Sequence, residues 1–298
     1  MLLREVKNIF HKELDSLYPK EEVDSFFYML LEHYLKLERF ILAIEPNLII
    51  SKEDEEPLFE ALSELKIQKP IQHIIGTAHF MDMEFKVNKH VLIPRPETEE
   101  LVRWIIEEVQ SEKYKVRSTK YEVRNGKDLK ILDIGTGSGC IAITLAKNLP
   151  NAKVYALDVS EYALLVAKDN ALSNAVAINF LKKDILTLEV LHEEFDIIVS
   201  NPPYVRDLEK KKMHGNVLEH EPELALFVSD ENPLVFYKRI TEFAVDNLKE
   251  GGVLFFEINQ YLGKETKQLL IDHNFSEIEL RKDMFGNDRI LKGVLNKK

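Results

Sequence analysis

The sequence predicts an α/β protein: a parallel sheet covered on both faces by helices, edged by an antiparallel hairpin and preceded by a small helical domain. Three observations carry this. From Lys130 to Asn259, short apolar runs (KILDIG, KVYALDVS, INFLKKD, FDIIVSNPPY, GVLFFEIN) alternate with amphipathic stretches such as CIAITLAKNL and EYALLVAKDNAL. Continuous apolar runs between helices fit strands buried on both faces. A glycine turn, DIGTGSG at 133–139, joins the first run to its helix. Residues 1 to 67 carry helical periodicity and little else.

In chain order, Leu3, Val6, Phe10, Leu14 and Leu17 share one helix face. Val23, Phe26, Phe27, Leu30, Leu31 and Tyr34 form a second, and Leu58, Leu62 and Leu65 a third. Pro19, Pro46 and SKEDEEP punctuate them. FMDMEFKV alternates strictly, with Met81, Met83, Phe85 and Val87 on one side, which predicts a strand or hairpin. VLIPRPETEELVRWIIEEV begins as a loop stiffened by Pro94 and Pro96 and becomes a helix burying Leu101, Val102, Ile105, Ile106 and Val109. Residues 111–128 are charged and nonperiodic, an exposed connection. Near the end, IELRKDMF and DRILKGVL flank Gly286-Asn287 and read as the edge hairpin.

At 298 residues the chain has room for one large domain and a smaller one. Apolar content of 45% and charged content of 31% belong to an ordinary globular protein. No apolar run approaches the roughly 18 residues of a membrane span, and MLLREVKNIFHKELD lacks the apolar core of a secretory signal. Cys140 is the single cysteine, so neither an internal disulfide nor a cysteine zinc cluster can form, and no histidine pair stands at metal-ligand spacing. A reducing, cytoplasmic setting without metal is expected. The formal charge of −11 disfavours nonspecific attraction to a phosphate backbone.

Gly135, Gly137 and Gly139 allow positive φ and close backbone approach, and the helix start behind them offers N–H donors. The spacing is G-x-G-x-G, not the dinucleotide fingerprint, and it lacks the Lys-Ser/Thr ending of a phosphate loop. Asp158 ends the second strand, where a carboxylate can accept from both ribose hydroxyls; Asp184 ends the third, placed to reach an adenine amino group. Either could instead cap the element that follows. With Asp133 they mark a cleft along the carboxyl edge of the sheet. No Lys or Arg lies in the glycine loop to meet a pyrophosphate, so S-adenosylmethionine suits it better than NAD.

Asn201-Pro202-Pro203-Tyr204 follows the fourth strand at the same edge. Two prolines cannot extend a ladder and stiffen the tip. The Asn201 side-chain oxygen and a proline carbonyl can each accept from a planar NH2, while Tyr204 offers a face for stacking. Such a site would orient a poorly nucleophilic, conjugated nitrogen towards a sulfonium methyl, by positioning rather than by a dedicated base.

Together these segments resemble the class I S-adenosylmethionine methyltransferases, and more narrowly the HemK family, the N5-glutamine methyltransferases of peptide chain release factors. PIQHIIGTAHFM (70–81), VLIPRPETEELV (91–102), ILDIGTGSGCIAI (131–143), IIVSNPPYV (197–205), EPELAL (221–226) and KDMFGNDRI (282–290) carry the narrower likeness. The resemblance implies a Rossmann-like fold and a glutamine substrate in a Gly-Gly-Gln loop. It places Gly135 to Gly139, Asp158 and Asn201 at the cofactor, and Asn201, Pro202, Pro203 and Tyr204 at the substrate amide. On this basis the chain divides into a helical substrate-docking domain (1–67), a β-hairpin linker (68–96) and a methyltransferase domain (97–298), although periodicity alone slightly favours the helices as a packing extension.

Other readings share parts of this pattern. Methyltransferases acting on exocyclic amino groups of DNA or RNA use similar tips, but need base flipping and phosphate contacts. Of the basic groups, only Lys210, Lys211 and Lys212 form a run near the tip, and stable nucleic-acid binding is not expected. A ribosomal-protein glutamine is a closer competitor. A noncatalytic cofactor-binding module leaves the NPPY slot without a purpose. Trp104 is expected in the core and Cys140 as a small packed residue. Arg95 and Glu97 either brace the loop over the cofactor or pair with each other.

Overall fold

The computed structural model describes residues 1–111, 129–189, 191–212 and 220–297. Nearly all of the charged connection at 111–128, and Met213 of the KKKM run, lie outside the described residues. The chain divides into two compact units, one built on Met1–Thr77 and one on Ala78–Met213 with Glu221–Lys298.

The first unit is helical: α1 (Leu3–Leu14), α2 (Lys20–Leu30) running on into a π-helical turn (Leu31–Leu35), α3 (Ile41–Ile44), α4 (Lys52–Lys66) and α5 (Ile71–Ile75). Its core is the three apolar faces foreseen from the periodicity, with Leu3, Phe10, Phe27, Leu30, Leu58 and Leu65 fully buried. Leu17 is the exception. The first helix stops at Leu14 and Leu17 is exposed. SKEDEEP opens α4 instead of separating helices: Ser51 accepts the Asp54 N–H, and Glu53, Asp54 and Glu55 complement the positive end of the helix dipole. Pro57 is absorbed inside this helix.

The second unit starts with a hairpin, β1 (Thr77–Phe80) and β2 (Met83–Lys86). Met81 and Asp82 form the turn, with φ of 49° and 59°. Met81 therefore sits at the tip, and the buried residues are Phe80, Phe85 and Val87. The alternation continued through the turn and concealed it. Helix α6 (Pro96–Gln110) follows, with proline at its first position, where a missing N–H costs nothing.

A seven-stranded sheet then forms from β3 (Lys130–Ile134), β4 (Lys153–Asp158), β5 (Asn179–Lys182), β6 (Phe195–Ser200), β9 (Leu248–Glu257), β10 (Phe275–Lys282) and β11 (Asp288–Leu295). Its spatial order is β10-β11-β9-β6-β3-β4-β5. The five strands from β9 to β5 are parallel, and β11 and β10 close the edge antiparallel. Alternate residues feed two cores. Ile131, Ile197, Val199, Val253 and Phe255 pack with residues of α6 and α7 (Cys140–Asn148). Leu132, Ile134, Ile198, Leu254 and Phe256 pack with residues of α10 (Val235–Asn247) and α11 (Gly263–Asp272). Helix α8 (Glu161–Ser173) links β4 to β5. A two-residue parallel pair, β7 (Val205–Arg206) with β8 (Phe227–Val228), fixes the chain leaving the tip of β6; the short α9 (Glu223–Leu226) precedes β8. Trp104 is buried edge-on against Phe255, as its core assignment requires. Among the described residues no helix is long and apolar enough to cross a membrane.

Candidate active site

Register places the relevant residues along one edge. Ile134 pairs with Leu157 on one side and with Ser200 on the other, and Ser200 pairs with Phe256. The residues that follow these positions (Gly135, Asp158, Asn201, Glu257) therefore stand side by side at the carboxyl ends of four adjacent parallel strands. The chain leaves β3 for β4 on one side and β6 lies on the other, so this is a topological switch point, where open α/β sheets form their crevice.

The glycine loop is held mostly by its own backbone. Gly135 and Thr136 donate to the Leu157 carbonyl at 2.8 and 3.0 Å, Gly139 donates to Thr136 O at 2.8 Å, and Gly137 donates to Asp158 Oδ2 at 2.9 Å. These four N–H groups are engaged within the protein, not freely offered. Gly135 and Gly137 have φ of 76° and 53°, and a Cβ at either would meet no atom within 4 Å. The space over them is open. Gly139 (φ 84°) serves packing: a Cβ there would lie 2.8 Å from Ile143 Cδ1 and 3.1 Å from the Ala167 Cβ. Thr136 and Ser138 are buried, and the Thr136 hydroxyl donates to Asp133 Oδ2 at 2.6 Å. Asn170 of α8, fully buried, stitches the loop to the hairpin, donating to Ser138 O at 2.9 Å and Lys86 O at 3.0 Å while accepting the Lys86 N–H at 2.7 Å.

The acids differ in their duties. Asp133 is wholly buried and, among the described residues, its Oδ1 has no hydrogen-bond partner. Burial pushes its carboxyl up to about 7, against the pull of the Thr136 hydroxyl and the Ala142 N–H. Asp158 accepts from Gly137 N and, through Oδ1, from Ser160 N at 2.9 Å; burial again raises its carboxyl. Asp184 accepts the Leu186 N–H at 2.9 Å and so caps its own turn, whatever else its second oxygen does. Cys140 is buried, its thiol pushed up to about 12 by burial, and it packs as expected.

At the tip, Asn201 Nδ2 lies 3.3 Å from Thr98 Oγ1. Thr98 donates to Glu257 Oε2 at 2.6 Å, and the Tyr204 hydroxyl donates to Glu257 Oε1 at 3.0 Å. The Tyr204 carbonyl accepts from Asn259 Nδ2 at 2.9 Å. Arg289, anchored on Asp283 at 3.0 Å, reaches the Tyr204 hydroxyl at 3.4 Å. Pro202 is buried and Pro203 partly so. Burial and the adjacent Glu257 charge keep Tyr204 protonated. Arg95 does not pair with Glu97: it pairs with Glu221, whose second oxygen takes the Ile93 N–H at 3.2 Å. That clamp fastens the Pro-rich loop ahead of α6.

Two segments match known family models: residues 8–76 match the PrmC N-terminal domain, and residues 120–225 the methyltransferase small domain. Over 292 residues the chain is 52% identical to the release factor glutamine methyltransferase of Flavobacterium psychrophilum, covering 98% of this chain and 99% of that one. The chain belongs to the release factor glutamine methyltransferase family. Its relative of the same name from Bacteroides thetaiotaomicron is 41% identical over 94% of this chain and 95% of its own, and that from Streptococcus pneumoniae 39% identical over 98% of each. As a class I methyltransferase it uses S-adenosylmethionine as methyl donor. The residues present fit that group: open space over Gly135 and Gly137, the Asp158 carboxylate bonded to that loop, and no Lys or Arg within residues 133–139 to oppose a sulfonium.

For a release factor glutamine methyltransferase, Thr98, Glu257, Arg289 and Asn170 are additions to the residues foreseen from sequence. Thr98 was within reach, since it lies in IPRPETE. Arg289 was too, since it lies in KDMFGNDRI; Glu257 and Asn170 give no local signal.

Proposed function

We infer that the chain transfers the methyl group of S-adenosylmethionine to the side-chain amide nitrogen of the glutamine in the Gly-Gly-Gln loop of a peptide chain release factor. The observation that carries this reading is the anchored Asn201 amide: its NH2 end faces Thr98, so its oxygen is turned away, free to accept from an incoming NH2. The curated relatives, named for the same reaction, support the substrate.

In this reading Gly135, Gly137 and Asp158 hold the donor at the end of β3 and β4, with Thr136, Ser138, Gly139 and Asp184 shaping its surroundings. Bound there, the donor supplies an electrophilic methyl on a sulfonium. Asn201 and the carbonyl of Pro202 accept the two N–H groups of the glutamine amide and aim its nitrogen at that methyl. Pro203 stiffens the tip, and Tyr204 lies against the flat amide, its own rotation limited by the hydroxyl bond to Glu257. Accepting both N–H groups favours the positive charge that develops on nitrogen as the N–C bond forms and the S–CH3 bond breaks, leaving a neutral thioether. One of the two N–H protons then leaves to restore the neutral amide. Holding the nitrogen in line supplies the larger share of the rate. The helical unit is the substrate-docking domain, and the single cysteine and a translation-factor substrate together favour a cytoplasmic setting.

The test is direct. The protein is incubated with release factors, a ribosomal-protein extract, DNA or RNA, and S-adenosylmethionine carrying a labelled methyl; modified peptides are then sequenced by mass spectrometry. One methyl on the Gly-Gly-Gln glutamine supports the reading. Label only in nucleic acid, only in ribosomal protein, or nowhere overturns it.

A further inference from the structure

We propose that Glu257 is a positioning residue that fixes, through Thr98, which way round the Asn201 side-chain amide sits. The inference rests on the reading of Asn201 as the acceptor for the substrate amide and goes one step behind it. Glu257 ends β9, is 1% exposed, and contacts hydroxyls with both oxygens: Thr98 Oγ1 at 2.6 Å and the Tyr204 hydroxyl at 3.0 Å.

A hydroxyl owns one proton. Ionised Glu257 can only accept, so Thr98 must spend its proton on Oε2. Thr98 Oγ1 then faces Asn201 with lone pairs alone, and Asn201 must present its NH2, as the 3.3 Å contact has it. The amide oxygen is thereby turned away from Thr98. Reversing the chain would require Glu257 to carry a proton or an NH2. Thr98 could then accept from position 257 and donate to Asn201, and the amide would settle with its nitrogen towards the substrate, where it would meet another NH2. Burial raises the Glu257 carboxyl, the Thr98 and Tyr204 hydroxyls and the Arg289 guanidinium pull the other way, and the two hydroxyl bonds place both carboxyl oxygens as acceptors. Glu257 is thus a buried acid whose two bonds govern the polarity of one substrate contact and the angle of one ring.

Three variants test this: Glu257→Gln, Thr98→Val and Thr98→Ser. Two readouts are taken on the full chain: kcat on a release factor alongside the calorimetric Kd for S-adenosylmethionine, and the side-chain ¹⁵N–¹H signals of Asn201, assigned by their loss in Asn201→Asp. Glu257→Gln and Thr98→Val are expected to lower kcat by roughly 10-fold or more with Kd within about 2-fold, and to shift the Asn201 signals and speed their exchange with water. Thr98→Ser, which keeps the hydroxyl, recovers most of the lost turnover and the native signals. A merely structural role would not move the Asn201 signals selectively. Unmoved signals or full kcat in Thr98→Val overturn the proposal, and this variant decides it even if Glu257→Gln does not fold. If the native chain methylates no release factor, the functional reading falls, while the Asn201 signals still judge the orientation.

Discussion

Asn201 Nδ2 and Thr98 Oγ1 lie 3.3 Å apart although 103 residues separate them in sequence. The bond joins the tip of the central β6 to the first turn of α6, so the Pro-rich loop and the NPPY tip, separate in the chain, meet as one device. Each half limits the other: the helix holds the amide, and the amide donates to a hydroxyl whose one proton is already committed to Glu257.

Asp158 is bonded to the glycine loop and stands beside the open space over it. Asp158→Ala should therefore weaken S-adenosylmethionine binding twice over, by removing the acceptor proposed for the ribose and by freeing the Gly137 N–H. Charge-assisted hydrogen bonds of this kind are worth about 1.5–3 kcal/mol, so calorimetric titration should show a loss on the order of 10- to 100-fold. An unchanged Kd would remove Asp158 from the cofactor site.

Gly135 and Gly139 separate backbone strain from packing. Both have positive φ, so alanine at either costs roughly 1–2 kcal/mol. At Gly139 the new methyl also collides with Ile143 and Ala167, which adds about 1–3 kcal/mol. Urea unfolding should rank Gly139→Ala as the less stable variant. Gly135→Ala, with open space around it, should instead show its larger effect on cofactor affinity. Equal stabilities would mean that the contact with α8 is soft.

Asp133 makes stability depend on pH. Its carboxyl is raised from an ordinary 3.8 to about 7, so between these values the folded chain holds a proton that the unfolded chain releases. The contribution is present in full below the unfolded value and is lost as pH rises through the folded one, with a slope of at most about 1.4 kcal/mol per pH unit. Denaturant titrations from about pH 5 to pH 8 should show the native chain losing stability relative to Asp133→Asn. Parallel pH profiles would contradict the assignment.

The Glu221 clamp predicts a second stability effect. Glu221→Ala strands the Ile93 N–H and releases Arg95, at a cost of about 2 kcal/mol by chemical denaturation. Glu97→Ala, which leaves that clamp whole, should change stability by less than about 0.5 kcal/mol.

The strands that build the site were readable because burial on both faces demands unbroken apolar runs, as in FDIIVS, all six residues of which are buried. Glycine spacing and NPPY were readable because their backbone requirements admit few residue types. Glu257 was not. An acid closing the run GVLFFE looks like a strand emerging into water, and only the pairing of β9 with β6 and β11 shows that its carboxylate is enclosed. Arg95 was left open between bracing the loop and pairing with Glu97 for a related reason: its partner, Glu221, lies 126 residues on. Asn170 lay among helix residues with nothing to distinguish it from a surface amide, yet it ties three segments together.

The central claim is that the tip of β6 accepts from and aims the glutamine amide. Asn201→Ala measures it most directly, with S-adenosylmethionine Kd and kcat/KM on a release factor determined on the same preparation. The account predicts a Kd within about 3-fold of the native value and a kcat/KM lower by on the order of 100-fold or more. A variant that binds the cofactor normally and still methylates the release factor at the native rate would contradict it.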